Sequence, residues 1–296
     1  MLRTRLGDAE VIRIADMEVY RTTTAKTMPG VTPGLLAAQA KLLGPQFIDP
    51  ATHEILLSFH SYLIRRAGRI VLVDACLGAD KERPTRPFWH RLKGDFLEQL
   101  ARIGVRPEDV DAVMCTHLHA DHVGWNTRLV NGKWVPTFPN ARYIMAEAEY
   151  RHWESHYKTT GPTLNHGSFA DSVLPVVDSG QAELVSMDHR VDAGIHLEAA
   201  PGHTPGSVLI HVEDQGQHGV MTGDLIHHPL QLACPDVQTT FCEDPPASAR
   251  TRVALCERYA NTGSRIYTAH FPAPSSGRIL RDGKAFRFGF DHCESC

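Results

Sequence analysis

The chain has no strong charge of either sign: 30 Lys and Arg stand against 34 Asp and Glu, giving a net charge of −4 and a pI near 6.5. Nucleic-acid binding wants a basic excess, so that class is set aside. No apolar run approaches the roughly 20 residues that a membrane-spanning helix requires. The stretch Met1 to Asp8 holds no apolar signal core, so neither secretion nor membrane insertion is expected. Ser/Gly-rich linkers, charge blocks and low-complexity segments are also missing. With 42% hydrophobic residues among 296, the chain can fill a large core, and a single domain over 1–296 is expected. The seven cysteines are an odd number without a disulfide-framework spacing, which favours a reducing cytoplasm. Cys76 and Cys115, on or beside apolar strands, read as buried thiols. Cys293 and Cys296 form a C-x-x-C that needs two further ligands to hold a metal, and it reads as a loose tail.

What the chain does have is histidine in an ordered pattern. The segment Thr116-His117-Leu118-His119-Ala120-Asp121-His122-Val123-Gly124 packs three histidines and an aspartate into six positions. Pro201-Gly202-His203-Thr204-Pro205-Gly206, Thr222-Gly223-Asp224 and Thr268-Ala269-His270 follow, each after an apolar, strand-like run. Val71-Leu72-Val73-Asp74 has the same form earlier on. Imidazole nitrogens and carboxylate oxygens at strand ends are the donors that zinc and similar divalent ions prefer. The remaining histidines, such as His53, His152, His189 and His218, read as scattered surface residues.

Periodicity places these segments. Val11 to Ile14 and Glu18 to Arg21 alternate like the strands of a hairpin, and Ile55 to Ile64 pairs with Ile70 to Asp74 through a turn at Ala67-Gly68. Asp95 to Ile103, Glu147 to Trp153 and Ala247 to Tyr259 have helical spacing. Ala112 to Cys115, Tyr143 to Met145, Ile195 to Ala199, Val208 to Val212, Val220 to Thr222 and Arg265 to Thr268 read as strands. Thr22 to Pro50 and Ser155 to Asp178 read as long irregular segments. They are either lids or binding loops, or else subunit packing and plain surface loop.

The ordered set H-x-H-x-D-H, then a lone His, an Asp and a final His, resembles the metallo-β-lactamase superfamily, and all seven ligand positions are filled. The resemblance covers about Val11 to Phe288. It implies a four-layer αββα sandwich and a site for two divalent ions, most simply zinc. His117, His119 and His203 would hold one ion, Asp121, His122 and His270 the other, and Asp224 would bridge them. Such a pair activates a bridging hydroxide as the nucleophile and polarises the substrate oxygen. The resemblance also implies that Asp121 would shuttle a proton to the leaving group. Asp74 either orients a ligand or caps the turn after its strand.

The resemblance also narrows the substrate. Only a short stretch follows His270, so the glutathione-binding helical domain of glyoxalase II-like enzymes is not expected, and no basic insert of RNA-cleaving relatives is present. His119 separates the chain from flavodiiron proteins, and Asp224 from true β-lactamases. Gly223-Asp224-Leu225-Ile226-His227, Phe241-Cys242-Glu243-Asp244-Pro245 and Ala269-His270-Phe271-Pro272 resemble the branch of methyl parathion hydrolase-like enzymes and related lactonases. Shorter acyl-homoserine lactonases carry a Tyr three residues after the bridging Asp. Here His227 stands there, either donating to a substrate carbonyl or serving only as support. Phe88, Trp89, Trp125, Trp153 and Phe271 are expected to wall an apolar pocket. The expectation is a hydrolase of small apolar esters or lactones, with organophosphate triesters as a further substrate class. A β-lactam hydrolase and an iron-dependent oxidoreductase of the same superfamily are the alternatives; a non-catalytic metal protein is disfavoured because no ligand is lost. No nucleic-acid or membrane partner is expected, and a homodimer is among the expected assemblies.

Overall fold

The computed structural model describes residues 2–291, and the Cys293/Cys296 pair lies outside them. The chain divides into two compact units, one of Arg3–Met17 and Phe59–His189, the other of Glu18–Ser58 and the chain from Arg190 onward. Among the described residues, no helix is long and apolar enough to cross a membrane.

The first unit is built on a seven-stranded sheet. Its strands are β1 (Arg3–Leu6), β2 (Ala9–Thr22), β3 (Ile55–Arg66), β4 (Arg69–Val73), β5 (Ala112–Met114), β8 (Arg142–Ala146) and β9 (Ala182–Val185), in the order β1-β2-β3-β4-β5-β8-β9; β6 (Thr127–Val130) and β7 (Lys133–Pro136) form a separate hairpin. The chain passes between the units within β2 and β3. Strands β4, β5, β8 and β9 are mutually parallel, so their carboxyl ends share one edge. Leu72, Val113, Tyr143 and Met145 pack with Phe96 and Leu100 of the helix Phe96–Arg102 and with Tyr150 and Trp153 of the helix Glu147–Thr160. The alternate residues Val71, Val73, Met114 and Ile144 are buried as well. Burial of both faces explains why these strands read as continuous apolar runs.

Three expectations are corrected. The hairpin expected over Val11–Arg21 is one continuous 14-residue strand, and the turn lies earlier, where Gly7 has φ 58. Ala15-Asp16-Met17 has no turn chemistry; the Asp16 carboxylate instead accepts the amides of Leu77 and Gly78, each at 3.1 Å. The segment 155–178 is largely helical, because Phe169, Val173 and Val176 are buried at helical spacing. The segment 22–50 holds the helices Thr24–Thr27 and Pro33–Leu43. Pro33 opens the second helix rather than breaking it, since a first-turn proline loses no intrahelical bond, and Thr32 caps it by accepting from Leu35 N at 3.2 Å.

The second unit carries a six-stranded sheet of β10 (Ile195–Ala199), β11 (Val208–Asp214), β12 (Gln217–Met221), β13 (Arg265–Tyr267), β14 (Ser276–Asp282) and β15 (Ala285–Phe290), in sequence order. All neighbours are antiparallel except β12 and β13. Their parallel step is crossed by the helix Pro245–Tyr259, whose cap Asp244 accepts from Ala247 N at 2.9 Å. Strands β10, β12 and β13 therefore run the same way and end at one edge. Phe47, Leu209, Val220, Leu255, Ile266, Phe271 and Phe288 are part of the core.

His196, His211 and His218 form a stacked ladder across β10, β11 and β12. The His196 and His211 rings are 4.5 Å apart at 6°, those of His211 and His218 5.2 Å apart at 11°, and His211 Nδ1 lies 2.9 Å from His218 Nε2. Glu198, itself bonded to Arg258, faces His211 Nε2 at 3.2 Å. Burial, then the neighbouring His196, pushes the His211 imidazole down to about 4, despite Glu198. The unfolded chain therefore takes up this proton first, near the ordinary pKa of about 6.5. This contribution to stability is fully present above about pH 6.5 and is lost as pH falls toward 4. Denaturant midpoints are expected to fall over that window, and His211→Leu to flatten the slope. Parallel slopes for the two proteins would contradict the assignment.

Candidate metal centre

In the first unit the donors sit in the loop that follows β5. Adjacent parallel strands bring Asp74, at the end of β4, beside Thr116. The Asp74 carboxylate accepts Thr116 N and Thr116 Oγ1, both at 2.8 Å, and meets His122 Nδ1 at 2.8 Å. A carboxylate only accepts, so His122 carries its proton on Nδ1 and keeps a lone pair on Nε2. Thr116 Oγ1, having donated to Asp74, accepts from His117 Nδ1 at 3.1 Å, which leaves His117 Nε2 as a lone pair too. Asp74 thus both caps the loop and fixes the tautomer of two histidines, the arrangement that metal-binding imidazoles use. His117 Nε2 faces His119 Nδ1 at 3.0 Å, the His117 and His122 rings lie 4.1 Å apart, and an Asp121 oxygen lies 3.9 Å from His122 Nε2. Gly124 ends the motif because its backbone packs directly on the turn at Leu77-Gly78; a Cβ there would sit 2.0 Å from the Leu77 carbonyl.

In the second unit the donors follow β10, β12 and β13, whose carboxyl ends share an edge. The Asp224 carboxylate is the hub. Its Oδ2 lies 3.2 Å from His203 Nε2 and 3.2 Å from His227 Nε2, and its Oδ1 lies 2.9 Å from His270 Nε2. His270 Nδ1 donates to Ser58 O at 3.0 Å, and His203 Nδ1 faces Cys242 Sγ at 3.5 Å. The turn before His203 needs Gly202, at φ 132, since a Cβ would meet Ser248 N at 2.2 Å. His227 stacks on His270 at 5.4 Å and 10°, with Phe241 beside it at 5.9 Å.

The ring orientations test whether these residues suit a cation. With its Nδ1 proton given to Ser58, a neutral His270 turns a lone pair toward a carboxylate oxygen at 2.9 Å. Acceptor facing acceptor requires a proton or a metal ion between them. His203 shows the same demand: burial disfavours its charged form, yet Asp224 and Cys242 outweigh burial and raise it to about 9. His227 has no net gain of that kind; burial is the largest effect and pushes it down to about 4. The His and Asp donors of the chain fit two divalent metal ions.

All seven sequence-predicted ligands fall in these two sets: His117, His119, Asp121 and His122 in the first unit, and His203, Asp224 and His270 in the second. The expected aromatic wall is revised. Trp125 stacks on Phe96 in the first core, Phe271 is fully buried in the second, and Phe88 is exposed. Trp89 packs edge-on against Phe59, and Trp153 borders a candidate ligand, 5.4 Å from the His119 ring. Sequence reasoning missed Thr116, Glu149 and Cys242 as partners of the ligands. Thr116 was open to detection, since it directly precedes His117 at a strand end; the other two come from distant segments with no spacing signal. Cys76 and Cys115 are buried thiols, as expected. Asp74→Ala strands a buried amide and removes three bonds. It is expected to cost about 1–3 kcal/mol of unfolding free energy in metal-free protein, and an unchanged denaturant midpoint would contradict this role.

The family model described as the metallo-beta-lactamase superfamily matches residues 58–268. An N-acyl homoserine lactonase of Bacillus sp is 32% identical over 122 residues, 40% of this chain and 39% of that protein. The chain thus spans about two fifths of the length of the first curated relatives it matches. The N-acyl homoserine lactonase AiiB of Agrobacterium fabrum is 23% identical over 249 residues, covering 79% of this chain and 86% of its own. Among solved structures, AidC, a dizinc quorum-quenching lactonase, superposes with a TM-score of 0.79 at 20% identity over 98% of this chain and 97% of its own. AbOPH, a hydrolase in the beta lactamase superfamily, gives 0.81 at 21% identity over 99% and 98%. The fold is the metallo-β-lactamase fold, mixed α/β with several sheets and consistent with the αββα sandwich. With the model matched along most of its length and every ligand position of the motif filled, the chain belongs to the metallo-β-lactamase superfamily.

Proposed function

We propose that this protein is a dinuclear metal-dependent hydrolase of small apolar lactones and esters, in the branch of methyl parathion hydrolase-like enzymes and related lactonases. The observation that carries the reading is Asp224, a buried carboxylate with an imidazole nitrogen aimed at each oxygen, at 3.2 and 2.9 Å. In this assignment His117, His119 and His203 would hold one ion, Asp121, His122 and His270 would hold the other, and Asp224 would serve both. Zinc is the ion of choice, because imidazole and carboxylate suit it and AidC is described as a dizinc enzyme. When bound, such a pair supplies Lewis acidity toward a carbonyl or phosphoryl oxygen and lowers the pKa of water from about 15.7 to about 7.

The chain's own residues do the rest. Asp121, partly exposed at the side of His122, takes up a proton and passes it to the leaving oxygen. His227, whose Nε2 lies 3.2 Å from Asp224 Oδ2, would offer that N–H to the substrate oxygen. Phe241, 37% exposed beside His227, gives the acyl or aryl group an apolar contact. The names of the sequence relatives support lactones, and N-acyl homoserine lactones are the first to test. The five described cysteines are free thiols, which supports a reducing cytoplasm as the compartment.

Zinc-loaded protein is expected to hydrolyse lactones and aryl esters fastest, phosphotriesters more slowly and β-lactams least. His227→Phe should lower kcat by about 10²–10³-fold, the cost of one lost donor to a developing oxyanion, while two zinc ions stay bound. Inactivity toward lactones and esters alongside efficient β-lactam opening would overturn the reading, and unchanged kcat in the variant would remove His227 from it.

A further inference from the structure

The segment before and through the π-helical turn Phe169–Val173 is a strap fixed in a costly backbone conformation. Asn165 (φ 50, ψ 48) and His166 (φ 57, ψ 20) both lie in the left-handed region, and Gly167 follows at φ 92. Asparagine tolerates that region; histidine adopts it only where its surroundings hold it there. Buried side chains hold the strap there. Arg83 donates to His166 O at 3.0 Å and grips Asp171 through bonds of 2.6 and 2.9 Å. Lys81, fully buried, lies 3.6 Å from the same carboxylate and donates to Thr127 at 2.6 Å. The His166 ring is fixed as well, accepting from Arg86 Nε on Nε2 at 3.2 Å and facing Thr85 Oγ1 with Nδ1 at 3.0 Å.

What this fixed geometry presents is the carboxamide of Asn165. Its Nδ2 donates to Leu118 O at 2.7 Å, and its Oδ1 accepts from Ala120 N at 3.3 Å. Those two backbone groups flank His119. On the other side, Glu149 Oε1 accepts Leu118 N at 3.0 Å and Trp153 Nε1 at 2.7 Å, and the Trp153 ring borders that of His119. The backbone around His119 is therefore held by side chains from two distant segments, and its Nδ1 stays 3.0 Å from His117 Nε2.

We propose that Asn165 is a positioning residue for the metal centre, which by gripping the peptide groups on either side of His119 fixes where that imidazole delivers its Nδ1. The inference rests on the ligand reading above. Ring placement matters because partners behind a ligand typically alter metal affinity by about 10–100-fold. The segment 155–178 then acts as a clamp on the histidine loop rather than as a lid.

The test is Asn165→Gly in the full chain. Glycine adopts the left-handed conformation freely, so the variant keeps the strap's backbone and loses only the two side-chain bonds. Zinc affinities of metal-free wild type and variant are measured by competition with a chromophoric chelator. The expected result is one ion bound about 10–100-fold more weakly and the other with unchanged affinity. Two ions bound by Asn165→Gly with wild-type affinity would overturn the proposal. Equal weakening of both ions would also overturn it, by showing general loosening in place of positioning. A wild type that binds fewer than two ions would instead refute the ligand reading, and the strap's role with it.

Discussion

A carboxylate out of water must be satisfied by cations or donors, because leaving it bare costs several kcal/mol. Asp224 is such a group; of the imidazoles around it, His270 is committed through Nδ1 to a backbone carbonyl, and His203 Nδ1 lies beside a thiol. The nitrogen that His270 turns toward Asp224 is therefore an acceptor unless a proton or a metal ion sits between. Much of the second unit follows from this demand. Strands β10, β12 and β13 must run alike to deliver His203, Asp224 and His270 from one edge, and that requires the single parallel step crossed by the helix Pro245–Tyr259. Gly202 is the residue that lets the His203 turn approach the start of that helix.

The first unit meets the same problem with a second buried carboxylate. Asp74 does not face the ligand nitrogens; it stands behind them and sets their protonation. One oxygen holds the loop through Thr116 N, and the other orders His122 directly and His117 through the Thr116 hydroxyl. Both imidazoles thereby direct Nδ1 at these oxygens and turn Nε2 the other way. The glycine that ends the motif has a steric cause: Gly124 packs backbone to backbone on the turn after Asp74.

How much of this was legible in the sequence depended on the range of the interaction. The strands leading to Asp74, His117, Asp224 and His270 could be read because each is a short apolar run that ends in a polar loop, and the ligands lie within a few residues of those ends. The helix Pro33–Leu43 lies in a segment that reads as irregular, although at the first turn proline costs a helix nothing. The turn expected near Asp16 was misplaced because the partners of Asp16 lie about 60 residues away. Glu149, Asn165 and Cys242 were invisible as ligand supports for the same reason: each reaches a histidine or its flanking peptide from a segment whose own pattern reports only local packing. Trp125 and Phe271 show the opposite error, since aromatic residues near a motif were credited to a pocket when the cores needed their volume.

The central claim is that one carboxylate, Asp224, serves two ions. Elemental analysis of protein purified without chelator, combined with activity on a lactone, tests it most directly. The account predicts two divalent ions per active chain, and loss of both occupancy and activity together in Asp224→Asn. Active, unchelated wild-type protein with one ion or none, or an Asp224→Asn variant that keeps two ions and full activity, would contradict it.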